Sequence, residues 1–90
     1  MRYNRQEITP KVVEILNRVS TQPENYTEEN FSKPLTGALF GFSEYDMTFL
    51  VMELMEEFGI TFVKEDFEDY RFNTINNILE IITSKEIRTA

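Results

Sequence analysis

The stretch LVMELMEEFGI, residues 50–60, predicts an amphipathic helix and the position where that helix ends. Leu50, Leu54 and Phe58 recur every four residues, so they fall on one side of a helix and, together with Val51, form its buried face. Gly59 is expected to end the helix, because glycine readily adopts the left-handed conformation found past many helix ends. The run therefore predicts the central helix of a small helical core.

The residues just before this run, GFSEYDMTF at 41–49, predict where the same helix begins. Ser43 lies three residues before Asp46, which is the spacing of a capping box. In that arrangement each of the two side chains satisfies a backbone N–H that has no partner within the first turn. We therefore expect the helix to begin at Ser43.

A first helix is predicted nearer the start of the chain. Thr9 is a suitable cap, Pro10 suits the first helical position, and the helix is expected to end near Ser20. Its apolar stripe consists of Val12, Val13, Leu16 and Val19.

Residues 21–42 form a long connection that is too apolar to be a solvated linker. We expect an ordered loop that lies against the core, with a short helical turn around LTGALF at 35–40. Its large apolar residues are Tyr26, Phe31, Leu35, Leu39, Phe40 and Phe42.

The remainder of the chain predicts two further helices. A short one is expected over Lys64–Tyr70, and a final helix is capped by Asn73 or Thr74 and frays after Ser84. Ile75, Ile78, Leu79 and Ile82 share one face of that last helix. The prediction is one all-α domain over residues 1–90, with four helices and a core at about 8–84.

Composition restricts the possible chemistry. The 90 residues include no cysteine and no histidine, which excludes disulfides, thiolate chemistry and any nucleophile paired with histidine. The acidic stretch KEDFEDY at 64–70 lacks the glycine and the spacing of a calcium loop, so no metal site is predicted. We therefore expect a protein without enzymatic activity.

The formal net charge of −7 disfavours nucleic acid and anionic membrane surfaces as partners. A protein with a basic surface is the natural partner, although acidity also serves solubility alone. No apolar run approaches the length of a membrane span, and the start MRYNRQEITP does not read as a signal peptide. The expectation is a cytoplasmic monomer.

The chain resembles the acyl carrier protein family. The family's second helix, with the glycine that precedes it, is similar to Phe40-Gly41-Phe42, Asp46 and LVMELMEEFGI in this chain. The start of the family's last helix is similar to Asn73-Thr74-Ile75. The resemblance covers about residues 8–84 and implies an acyl-carrier-like four-helix bundle. It also implies a serine that carries 4'-phosphopantetheine at the start of the second helix.

The sequence departs from the family at that attachment position. Aligning EEFGI places Ser43 at the family's aspartate, Glu44 at its serine and Tyr45 at its leucine. A carboxylate cannot form the phosphodiester, and Ser43 is rotated by about 100° from the family's serine. Two readings of Ser43 stay open: a helix cap, or a shifted attachment site for phosphopantetheine. Glu44 is either a charge mimic or an acid favoured by the helix N-terminus.

A second departure concerns the outward side of the same helix. Phe49, Met52 and Met55 are expected to lie partly or wholly toward solvent, where family members commonly carry glutamate. Methionine adapts to varied partners, so an exposed apolar strip with an acidic rim indicates a docking face. The alternative is that the long loop covers Phe49. The predicted partner-binding residues are Glu44, Asp46, Phe49, Met52, Met55 and Glu56.

Three functions follow from these features. The leading prediction is a non-catalytic carrier-like protein, without a cofactor, that docks onto enzymes of a biosynthetic or peptide-modification pathway. The second is a true acyl or aminoacyl carrier with 4'-phosphopantetheine on Ser43. The third is a stand-alone regulatory or structural adaptor.

Overall fold

The computed structural model describes residues 2–85, and within that range the chain is helical and forms no β-strand. The all-α prediction is confirmed. The expected fraying after Ser84 falls almost wholly outside the described residues. The helices are α1 at Arg5–Val19, α2 at Glu44–Phe58, α3 at Ile75–Ser84, a short 3-10 helix at Glu28–Asn30, and a 3-10 stretch at Lys64–Asn73, hereafter the 64–73 segment.

The predicted start of the first helix is wrong by five residues. Asn4, not Thr9, caps α1, and its side chain accepts a hydrogen bond from the N–H of Gln6 at 2.8 Å. Pro10 therefore lies inside the helix, where it is exposed and donates no backbone hydrogen bond. The earlier start is anchored by Tyr3, whose hydroxyl donates to the Phe58 carbonyl at 2.7 Å.

Both predicted ends of α2 are confirmed. The Ser43 hydroxyl accepts from the Asp46 N–H at 3.2 Å, and the Asp46 carboxylate accepts from the Ser43 N–H at 2.9 Å. Gly59 is left-handed at φ 60° and closes the helix. Leu50, Leu54 and Phe58 are buried as predicted. This helix is thus defined locally, by its own caps and its own apolar period.

The loop over residues 21–42 packs into the core, as predicted. Of its large apolar residues only Leu39 is exposed, and the Tyr26 ring stacks on Phe40 at 5.5 Å between centroids. The loop is also hydrogen-bonded to the start of α3, because the Leu35 N–H donates to the Asn73 carbonyl at 2.7 Å. Around LTGALF the chain makes the predicted single helical turn, in which the Gly41 N–H donates to the Gly37 carbonyl at 2.9 Å. The 3-10 helix of this loop lies earlier, at Glu28–Asn30.

The predicted helix at Lys64–Tyr70 is only partly present. The 64–73 segment begins at Lys64 but breaks at Glu68, and both Asp69 and Tyr70 are left-handed, at φ 54° and 58°. A continuous helix would separate Phe67 and Phe72 by about 140° around its axis. The break instead brings the two rings to 5.1 Å between centroids.

The described end of α3 is fixed by an ion pair with little exposure to solvent. The Lys85 ammonium lies 2.7 Å from the Asp66 carboxylate, which also accepts from the Val63 N–H at 2.8 Å. At the other end Thr74 is the cap, since its hydroxyl accepts from the Asn77 N–H at 3.1 Å. Of the two predicted caps for α3, Thr74 is therefore the observed one.

The predicted apolar face of α3 is buried, and α1 packs against both α2 and α3. Lys11 pairs with Glu57 at 3.0 Å and Arg18 with Glu53 at 3.2 Å, so α1 and α2 run in opposite directions. No helix within residues 2–85 is long and apolar enough to cross a membrane.

Candidate functional site

Ser43 lies at the start of α2, where its side chain is exposed but already has a structural role. Its hydroxyl is the acceptor of the capping box, and its backbone N–H is held by Asp46. The next residue, Glu44, occupies the first position inside the helix and carries no hydroxyl. These residues do not fit the attachment of phosphopantetheine, because the only hydroxyl belongs to the cap and lies one residue before the helix.

The side of α2 that faces away from the core is apolar. At 100° per residue, Tyr45, Phe49, Met52 and Glu56 fall within an arc of about 60°. Tyr45 is 88% exposed, Phe49 45% and Met52 58%. We call these four residues the outer strip. The loop over residues 21–42 leaves Phe49 exposed, and three large apolar side chains therefore meet solvent together.

The other predicted docking residues do not share this orientation. Met55 is half-buried and packs against the core. Asp46 is half-buried and engaged in the cap, and Glu44 is exposed on the side of the helix that carries Met55. The predicted docking residues therefore do not share one face of α2.

Beside the outer strip lies a groove between α2 and the 64–73 segment, with a volume of about 500 Å³, and Met52 is the one predicted docking residue that lines it. Its polar lining residues are Thr36, Thr48 and Asn73. Met52 lies in the groove wall as well as in the outer strip, so the two surfaces are continuous. The apolar walls come from Met47, Val51, Met52, Phe67, Tyr70 and Phe72.

One edge of the groove is made by strained backbone. Asp69 and Tyr70 are the two residues other than glycine with left-handed backbone among residues 2–85. Aspartate tolerates this conformation better than tyrosine, and such residues cost of the order of 1–3 kcal/mol each. The turn leaves the Tyr70 ring 85% exposed at the edge of the groove.

The four glutamates of α2 divide into two sets. Glu53 and Glu57 are held by Arg18 and Lys11 of α1. Glu44 and Glu56 are exposed and make no ion pair within residues 2–85. The paired acids join α2 to the core, which leaves Glu44 and Glu56 available to a partner.

Sequence reasoning missed two parts of this site. Tyr45 lies four residues before Phe49, so helical spacing alone could have placed it on the outer strip. The groove had no such signal, because it depends on the break at Asp69 and Tyr70. Within the described part of the chain, no group of three or more acidic, histidine or cysteine residues could hold a metal ion.

Comparison of the chain with protein-family models, with curated protein sequences and with solved structures finds no match. The resemblance to acyl carrier proteins consequently stays a hypothesis that rests on the residues of the chain itself.

Proposed function

We propose that this protein is a non-catalytic docking protein with an acyl-carrier-like four-helix arrangement, which works within a multi-enzyme biosynthetic or peptide-modification pathway. Its outer strip binds a basic, partly apolar groove on a partner enzyme. The observation that carries the proposal is the exposure of Tyr45, Phe49 and Met52 side by side on a helix whose opposite face is core. Large exposed apolar patches are typical of binding surfaces.

Charge supports the same surface. Glu56 lies within the outer strip and Glu44 near its start, and neither is engaged by a cation within residues 2–85. Aromatic and methionine side chains with an acidic rim provide anchors together with steering toward a basic surface. The helix order and the capped start of α2 support the carrier-like arrangement.

The test begins with a photo-crosslinking residue at position 49, installed in the producing organism, and identification of the crosslinked protein. That protein is then purified for binding measurements with Phe49→Ser and Met52→Ser. We expect each change to weaken binding by about tenfold or more, as for anchor residues. The matched control is Leu39→Ser, since Leu39 is an exposed apolar residue outside the strip. Equal losses for the strip and for Leu39 would refute the proposed docking surface.

The charge of the strip has its own test. Glu56→Lys should slow association and reduce its dependence on salt, because the acid steers a basic partner. Glu80→Lys is the matched control, as Glu80 is an exposed acid on α3. Association rates that fall equally for both variants would mean that only net charge matters.

The carrier alternative is tested by mass. Incubation with coenzyme A and a broad-specificity phosphopantetheinyl transferase should leave the intact mass unchanged, because Glu44 offers no hydroxyl and that of Ser43 serves the cap. A gain of one phosphopantetheine on Ser43 would instead establish a functional carrier. Modification of Glu44→Ser, but not of the parent, would show that the recognition surface for the transferase is intact.

A further inference from the structure

We propose that the groove between α2 and the 64–73 segment receives a large apolar side chain from a cationic, amphipathic peptide segment of the partner. This inference rests on the proposed function, since it extends the docking surface from the outer strip into the groove. The partner segment would carry one large apolar residue, the anchor, with arginine or lysine beside it.

The shape and lining of the groove favour an apolar anchor. About 500 Å³ of space borders mostly carbon, and a volume of that size would hold roughly fifteen waters with few hydrogen-bond partners. Displacing such water with an apolar side chain is favourable. Two of the polar lining residues already satisfy each other, because the side-chain amide of Asn73 donates to the Thr36 hydroxyl at 2.9 Å.

The charges around the groove favour a cationic flank. Three exposed acids of the 64–73 segment, Glu65, Glu68 and Asp69, make no ion pair within residues 2–85, and neither does Glu44, one helical turn before the groove-lining Thr48. The exposed cations of the same segment are Lys64 and Arg71, so acids outnumber them. An incoming arginine or lysine would meet a net negative rim.

Tyr70 provides a second point of recognition. Its ring is 85% exposed beside Asp69, so its face is open to a guanidinium group. A cation over an aromatic face is attracted by the ring, and arginine does this more often than lysine. An arginine next to the anchor residue would stack on Tyr70 and face the Asp69 carboxylate at once.

Methyl NMR of methionine gives a direct test. The protein is labelled with ¹³C at its methionine methyl groups and titrated with a short synthetic peptide that carries arginine on one helical face and leucine and tryptophan on the other. We expect the methyl signals of Met47 and Met52 to shift, since both line the groove. Met55 is the internal control, because it lies on the same helix but does not line the groove.

Two variants localise the binding. Thr48→Trp places a large ring at the groove wall and should weaken peptide binding by about tenfold or more. Thr61→Trp is its control, as Thr61 is exposed in the loop after α2 and does not line the groove. Tyr70→Ala should weaken binding by a few-fold, and raising the salt concentration should weaken it further.

The outcomes separate the two proposals. If Phe49→Ser prevents binding of the partner protein and Thr48→Trp does not, docking through the outer strip stands and the groove inference is overturned. If the peptide shifts neither Met47 nor Met52, or a scrambled peptide of the same composition binds equally, the groove inference is also overturned. If octanoate shifts both methyl groups and the peptide shifts neither, the groove binds small apolar acids instead.

Discussion

The two sides of α2 carry similar residues and have different surroundings. On one side Leu50, Leu54 and Phe58 are completely or almost completely buried, and on the other Tyr45 and Phe49 are exposed. Both sides repeat large apolar residues at a spacing of four. Apolar periodicity alone therefore does not identify the core face of this helix. The two sides differ in what packs on them. The side that carries Leu50, Leu54 and Phe58 is covered by apolar residues of α1 and of the loop over 21–42, and the side that carries Tyr45 and Phe49 is not.

Shortening one side chain on each side of α2 is expected to give the largest difference in stability. Leu54→Ala should lower the free energy of unfolding by about 2–5 kcal/mol, since it leaves a cavity in the core. Phe49→Ala should cost far less, because an exposed ring loses little packing. Urea unfolding of both variants beside the parent measures the difference. Similar losses would mean that Phe49 belongs to the core.

The second prediction uses pH to compare two tyrosines, Tyr26 in the loop that covers the core and Tyr45 on the outer strip of α2. Burial raises the pKa of Tyr26 to about 12, above its ordinary value of 10.0. The unfolded chain ionises first, so this contribution to stability is fully present below about pH 10 and is lost as pH rises toward 12. The loss is smaller than the roughly 3 kcal/mol that corresponds to a rise of two pKa units, because solvent screens part of the effect.

Unfolding by urea between pH 8 and pH 12 measures this loss. Tyr26→Phe should reduce the alkaline decline in stability, and Tyr45→Phe should not, because Tyr45 is 88% exposed on the outer strip. An unchanged decline in Tyr26→Phe would mean that other groups cause it.

The third prediction concerns the helix start that both sides share. Ser43→Ala should cost about 0.5–2 kcal/mol because it removes a helix cap, whereas Ser43→Asp should keep most of the stability. Thermal melts of the two variants test this. If Ser43→Ala were as stable as the parent, the cap would contribute nothing and the hydroxyl would have no structural role.

The smallest expected change in stability concerns Tyr70, at the edge of the groove. Tyr70→Gly should be about 1 kcal/mol more stable than Tyr70→Ala, because both remove the ring but only glycine relieves the left-handed backbone at φ 58°. Chemical denaturation of the pair isolates the strain from the loss of the side chain. Equal stability would show that the turn relaxes at no cost.

Local signals predicted the parts of the fold that depend on neighbours in sequence. Ser43, Asp46 and Gly59 act within one or two turns of their own helix, so their roles at the ends of α2 follow from spacing. The start of α1 could not be predicted from spacing, because it is held by a hydrogen bond from Tyr3 to Phe58, 55 residues away. Long-range packing of this kind leaves no periodic signature.

The candidate site was predictable to the same degree. Phe49 and Met52 belong to one helix, and their common orientation follows from its period. The groove needs a second wall, and that wall exists because the chain breaks at Asp69 and Tyr70 to bring Phe67 and Phe72 together. Nothing in the spacing of those residues predicts a break there.

The attachment of the long loop to the start of α3 has a consequence for the order in which the chain folds during synthesis. The Leu35 N–H bonds to Asn73, and the Asn76 N–H bonds to the Phe31 carbonyl at 3.0 Å. A ribosome makes the loop first, and its partners emerge only about forty residues later. Until then α1 and α2 can form, but the loop lacks its hydrogen bonds to the start of α3. Chains that stop before residue 73 should therefore be captured by chaperones, whereas chains that include α3 should escape them.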